Sequence, residues 1–201
     1  MPVMRATSFV LVALLGTAAL TLGVSPTLAP RIGSEAEATT AVLMTLDEMV
    51  RVSDRVVVAE PLERISMWEK IGESERIVTY TRLRIETPIV GSETQDVWVR
   101  TLGGTVGKIG QHVAGEAQLT LNQTSLVFVA RARDAYVVTG MAQGHFPVDE
   151  SDSARRLRSS PDTGTLLRSK KASGSSARED LVGETLARAS DKIRAAKAAQ
   201  K

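Results

Sequence analysis

Three kinds of hydrophobic patterning divide the chain. From Phe9 to about Val24 apolar residues run almost without a break, from Arg55 to Val148 they form short runs and alternations, and from Ala177 to Lys201 they recur at helical spacing. The first run follows Arg5 and carries no charge between Ala6 and Pro30, the order of a positive n-region and an apolar h-region. Thr27 and Ala29 supply small residues for cleavage, although Pro30 would be a poor first mature residue, and Ala36 and Ala38 are fallback sites. About 20 apolar residues also suffice to span a bilayer. Residues 1–38 therefore read as a signal peptide or N-terminal anchor with a short spacer. The protein is expected to be exported, periplasmic or secreted, with membrane anchoring by an uncleaved segment as the alternative.

The middle segment, 39–149, reads as a mainly β domain. Thr39 to Asp54 predicts a short helix ahead of it, because Thr45 and Glu48 have capping-box spacing and Leu43, Leu46, Met49 and Val50 share a helical face. Val56, Val57 and Val58 make a buried-strand run that continues past Pro61, as an edge or bulged strand, through Ile65, and Gly72 marks a turn. The clearest alternation follows: Thr81, Leu83, Ile85 and Thr87 on one face, Tyr80, Arg82, Arg84 and Glu86 on the other. Pro88 and Gly91 end it, and Asp96 to Thr101 resumes the code with Val97 and Val99 inward and Trp98 and Arg100 outward. Neighbouring antiparallel strands are the economical reading. Gly103, Gly104, Gly107, Gly110 and Gly115 punctuate a long loop, and Ser125 to Ala130, Tyr136 to Thr139 and Gln143 to Val148 supply three more strands, with Arg133 and Asp134 turning between the first two. Short strands separated by turn signals predict a small antiparallel barrel, OB-like, with a short N-terminal helix and a separate C-terminal helix.

Beyond Asp149 the composition shifts to Ser, Arg, Gly and Lys, and residues 150–176 are expected to be a disordered linker. In 177–201 Val182, Leu186, Ala189, Ile193 and Ala196 recur at helical spacing, predicting a basic helical tail with a weak apolar face. Charge is asymmetric: Ser151 to Lys201 holds 12 Lys and Arg against 6 Asp and Glu, while the preceding residues are net acidic. The tail can thus contact an anionic envelope surface. The chain has no cysteine, so neither a disulfide nor a lipid-modified cysteine contributes, and its core must suffice alone.

Candidate chemistry is sparse. Gly103 to Lys108 lacks the glycine and the Ser or Thr that a phosphate loop requires, since Leu102 and Ile109 stand there. His112 and His145, with Asp149 and Glu150, lack the short spacing of zinc ligands. No Gly-x-Ser-x-Gly elbow or His-Glu-x-x-His helix is present, and Asn122 to Thr124 matches a glycosylation sequon by chance. Glu60, Glu63, Glu73, Glu75 and Glu86 read as solvated charges. The expectation is no catalytic residue, no metal and no cofactor. The most suggestive group is the outward face of Tyr80, Arg82, Arg84, Trp98 and Arg100, where an aromatic beside several guanidiniums suits an anionic or saccharide ligand. Its competing reading is a solvated sheet face with cross-strand pairing to Glu86 and Asp96.

The run Val52 to Glu60 is similar to exported bacterial domains that open Ser-Asp-x-Val-Val-x-Gly and turn to a Thr-rich strand, matched here by Thr79 to Gly91. Val97 to Gly115, Leu126 to Val129 and Tyr136 to Phe146 follow in similar order and spacing. Residues 50–148 thereby resemble a bacterial domain of unknown function whose strand pattern resembles the TIMP and netrin-like OB barrel. TIMP-type inhibitors place an N-terminal cysteine on the protease zinc, and this chain has none for that route. The functional expectation is an exported, non-catalytic binding or adaptor module with an envelope component or protein partner. The alternatives are an inhibitor or accessory domain of an exported hydrolase, or an enzyme acting at the glycine-rich loop around Lys108 and His112. A nucleic-acid ligand is disfavoured by export.

Overall fold

The computed structural model describes residues 40–91, 95–151, 153–167 and 174–200. The segment 1–38, expected to be a signal peptide or anchor, lies outside the described residues. Among those described, no helix is long and apolar enough to cross a membrane.

The protein is mainly β. Strands β1 (Thr40–Val42), β2 (Arg55–Ile71), β3 (Ser74–Val90), β4 (Val97–Leu102), β5 (Gly104–Val106), β6 (Ile109–Gln111), β7 (Ser125–Ala132), β8 (Ala135–Val138), β9 (His145–Asp149), β10 (Arg156–Leu157) and β11 (Thr165–Leu167) are joined by helices α1 (Leu46–Val52), α2 (Ala177–Leu181) and α3 (Leu186–Ala198). The main sheet has seven strands in the order β10-β9-β7-β2-β3-β4-β8, and β8 also pairs with β7. The ladder β7-β2-β3-β4-β8 therefore returns to its first strand, through a parallel β4–β8 step and an antiparallel β7–β8 step.

β2 and β3 form a hairpin of 17-residue strands, registered from Val56↔Val90 to Ile71↔Ser74 and turned at Gly72. The turn needs φ near +63°, which glycine adopts without a Cβ penalty. The register slips between Pro61 and Glu63, and the Asn122 amide donates to the Pro61 carbonyl at 2.9 Å. This is a bulge where proline cannot serve the ladder.

Why Val56 to Ala59 is apolar without alternation follows from two cores. Val57 and Ala59 face one with Leu83, Val97, Val99, Val127, Val129 and Val138. Val56 and Val58 face the other with Phe128, Phe146, Met49, Val50, Leu181, Ala189 and Ile193, where the helices cover the sheet. Phe128 and Phe146 meet edge-on with centroids 6.1 Å apart. A strand buried on both faces has no polar face to alternate.

Several expectations change. The first helix starts only at Leu46, because Thr45 caps it: its hydroxyl accepts the Glu48 amide while Glu48 accepts the Thr45 amide. Residues 40–42 instead pair in parallel with β11. Thr87 is exposed, unlike its alternation partners. The glycine-rich stretch is a β5–β6 hairpin turned at Gly107, and a 3₁₀ turn, Met141–Gly144, precedes β9.

The expectation of a disordered linker over 150–176 does not describe residues 153–167, which contribute β10 and β11 and bury Leu157 to 1% exposure. The C-terminal helix is not separate either, since Ala189 and Ile193 of α3 are fully buried in the core that holds α1. Small alanines let α3 approach closely, and the area that Ile193, Ala189 and Ala196 remove from water outweighs a weak periodic signal.

Candidate functional site

Strands β3 and β4 bring together the five outward residues that the alternation picked out, with Tyr80 opposite Arg100 and Arg82 opposite Trp98. Their charges are already matched. Arg82 donates to Asp96 at 2.6 Å and to Glu63 at 3.3 Å, and Arg84 pairs with Glu60. Arg100 grips Glu69 with two bonds of 3.1 and 2.9 Å, and the Tyr80 hydroxyl donates to the same carboxylate at 3.1 Å. The Arg100 hydrogen bonds hold the Glu69 carboxyl below its ordinary range, and burial pushes the Tyr80 hydroxyl up. Three guanidiniums thus face four carboxylates, Glu60, Glu63, Glu69 and Asp96. An anion arriving there must displace a bound carboxylate. Of the expected partners, Asp96 serves this face, whereas Glu86 accepts from Thr124 and pairs with Arg155.

The other place where polar groups converge lies beneath the β5–β6 hairpin. An open cavity of about 450 Å³ lies there, lined by Thr79 and Thr81 of β3, Thr101 of β4, Arg64 of β2 and residues 110–113 and 116–120. The hairpin is tied down over it. Thr79 Oγ1 lies 2.8 Å from Ser66 Oγ and donates to the Gly103 carbonyl at 2.7 Å, and Gln111 Oε1 accepts the Ile77 amide at 2.7 Å. Gly104 has φ +129°, and a Cβ there would come within 2.2 Å of Thr79 Oγ1. Only glycine lets the hairpin approach the sheet this closely.

Glu116 is the cavity's acid. Its two carboxylate oxygens accept the Leu102 and Ala117 amides, each at 3.1 Å, and burial raises its carboxyl above the usual range. Two further lone-pair positions stay available on a carboxylate so bonded. Thr81 is 1% exposed, lines the cavity, and its hydroxyl has no hydrogen-bond partner among the described residues. Arg64 is exposed at the rim and has no ion-pair partner among the described residues. His112 also lines the rim, with Nε2 3.0 Å from Asp162, whose other oxygen accepts from the Gly115 and Gly164 amides. Lys108, at the exposed hairpin turn, does not reach the cavity lining.

His145 occupies a different setting. It is 1% exposed, with Nδ1 3.1 Å from Ser160 Oγ and Nε2 3.1 Å from Ser125 Oγ, and burial lowers its pKa to about 4. The imidazole is neutral and enclosed between two hydroxyls. Among the described residues, no three His, Asp or Glu side chains cluster as metal ligands.

Comparison with protein families, with curated proteins and with solved structures yields no match to this chain. The site must therefore be read from its own geometry.

That geometry features residues which periodicity passed over. Thr81 was legible as inward-facing, but an inward threonine in a strand is ordinary core until the cavity beside it is seen. Arg64 follows a bulge that shifts the strand's phase, and Glu116 sits in an irregular segment between glycines. No local pattern marks either as a site residue.

Proposed function

We propose that this protein is an exported, non-catalytic binding module whose ligand sits in the cavity under the β5–β6 hairpin. The observation that carries the reading is a contrast in satisfaction. On the outer face Arg82, Arg84 and Arg100 each hold a carboxylate, whereas Arg64, Glu116 and the Thr81 hydroxyl converge on one cavity with bonding capacity left over. The Thr81 hydroxyl opens onto the cavity, and a polar group on such a floor suits a ligand that pairs it. A volume of about 450 Å³ falls within the range of small-molecule pockets, about 300–1,000 Å³.

The ring of strand pairings supports the finer fold reading. Taken in chain order, β2, β3, β4, β7 and β8 pair first–second–third–fifth–fourth–first, with the third and fifth parallel, the arrangement of a five-stranded OB-like barrel. In that reading the cavity is a barrel mouth, a preferred place for ligands. The Ser125–His145–Ser160 group supports no nucleophilic role, because substrate cannot reach it. Contact with an anionic envelope surface would fall to the outward side of α3, where Arg188 and Arg194 are exposed and would exchange Glu184 and Asp191 for the surface.

The test is methyl NMR of the full chain, titrated with a small-molecule extract of the exported fraction of its host. Shifts confined to the Thr79, Thr81 and Thr101 methyls support the cavity. Shifts that map instead to Val97 and Val99 with the Trp98 indole would move the site to the β3–β4 face.

A further inference from the structure

We infer that the cavity binds a short zwitterionic peptide, its carboxylate on Arg64 and its ammonium on Glu116; this rests on the cavity being the ligand seat. Two opposite charges line one cavity, yet no ion pair joins them. Arg64 is left to be matched from outside, and Glu116 feels Arg100 only at longer range, with no ion pair to it. Arg64 offers a planar fork of donors, which suits a carboxylate held by two parallel bonds. Glu116 keeps acceptor positions beyond its bonds to the Leu102 and Ala117 amides, and burial of its carboxylate makes a cationic partner more favourable there than at the surface.

The charge pattern excludes simpler ligands. A phosphate or other dianion would satisfy Arg64 while adding repulsion from Glu116, and a neutral sugar would leave both charges unmatched. A single ion of either sign matches one group and opposes the other. A ligand with opposite charges at separated ends matches both, and a peptide unit between them presents an N–H and a carbonyl to a threonine floor. The unpartnered Thr81 hydroxyl can donate to that carbonyl or accept from that N–H.

Dialanine, the shortest probe that spaces its termini by a peptide unit, tests this against N-acetyl-dialanine and dialanine amide by calorimetry on the full chain. Dialanine is expected to bind at least tenfold more tightly than either capped form. Arg64→Ala should abolish the difference between dialanine and its amide while preserving that between dialanine and its acetylated form, and Glu116→Gln should do the reverse. Arg64 is exposed, so its variant keeps the fold even if Glu116→Gln does not. Equal binding of free and capped peptides at the cavity would overturn the zwitterion while leaving the seat intact. Binding of none of the three would overturn the peptide ligand, and methyl shifts at the cavity with the host extract would then tell whether the seat itself survives.

Discussion

Single residues carry the sharpest consequences of burial here. His145 holds its proton in the folded protein only below about pH 4, whereas an unfolded histidine takes one up from about pH 6.5. Between those values the unfolded chain binds more protons, so stability present above pH 6.5 is lost as pH falls toward 4. The expected loss from this one group is about 3 kcal/mol, because a tenfold change in proton affinity is worth about 1.36 kcal/mol. Urea midpoints at pH 7 and pH 4 should differ less in His145→Gln than in the natural protein; equal acid sensitivity would remove His145 as its source. Thr81 gives the opposite kind of test. Thr81→Val keeps the shape and deletes the unpartnered hydroxyl, so stability should hold or rise by up to about 1 kcal/mol while ligand affinity falls. A variant that loses stability instead would show the hydroxyl to be structural.

At the scale of elements, α3 is decided by what it covers. Its alanines offer little apolar area, yet Ile193 and Ala189 are fully buried beside Met49, Val50 and Leu181. Ile193→Ala should cost about 2–5 kcal/mol, the range for emptying a buried aliphatic site, read as a drop in thermal midpoint. A loosely attached tail helix would register almost no change. The β5–β6 hairpin is held by another device, close contact through Gly104, the Thr79 hydroxyl bond to the Gly103 carbonyl and the Ile77 amide bond to Gln111, without a large apolar face of its own. An element fixed by a few polar contacts can sit over a cavity without filling it.

For the whole molecule, the second core depends on residues that come after the ring of five strands is complete. Leu157, Leu181, Ala189 and Ile193 close over Phe128 and Phe146 from the far end of the chain. Truncation after Glu150 would expose that face of β2, β7 and β9. The shortened protein should bind a hydrophobic dye and lose cooperative unfolding, while retaining strand content in far-ultraviolet dichroism. A sharp, unaltered melt would mean that the ring of five strands stands without its helices.

Local order was legible because it is written in local chemistry. The Thr45–Glu48 capping box, the Tyr80 to Glu86 and Val97 to Arg100 alternations and the Arg133-Asp134 turn each depend on neighbours a few residues apart, and the structure forms all of them. A mainly β protein and the outward β3–β4 face were thus contained in the order of residues alone. Where polar groups find partners was settled by tertiary contacts. Arg100 is satisfied by Glu69, 31 positions away, while Arg64, on the same strand as Glu69, is left at a cavity rim. Residues 153–167 gain order from a core built elsewhere, which composition cannot register. Satisfaction and burial are sums over contacts distant along the chain, and a pattern of period two or 3.6 carries no information about them.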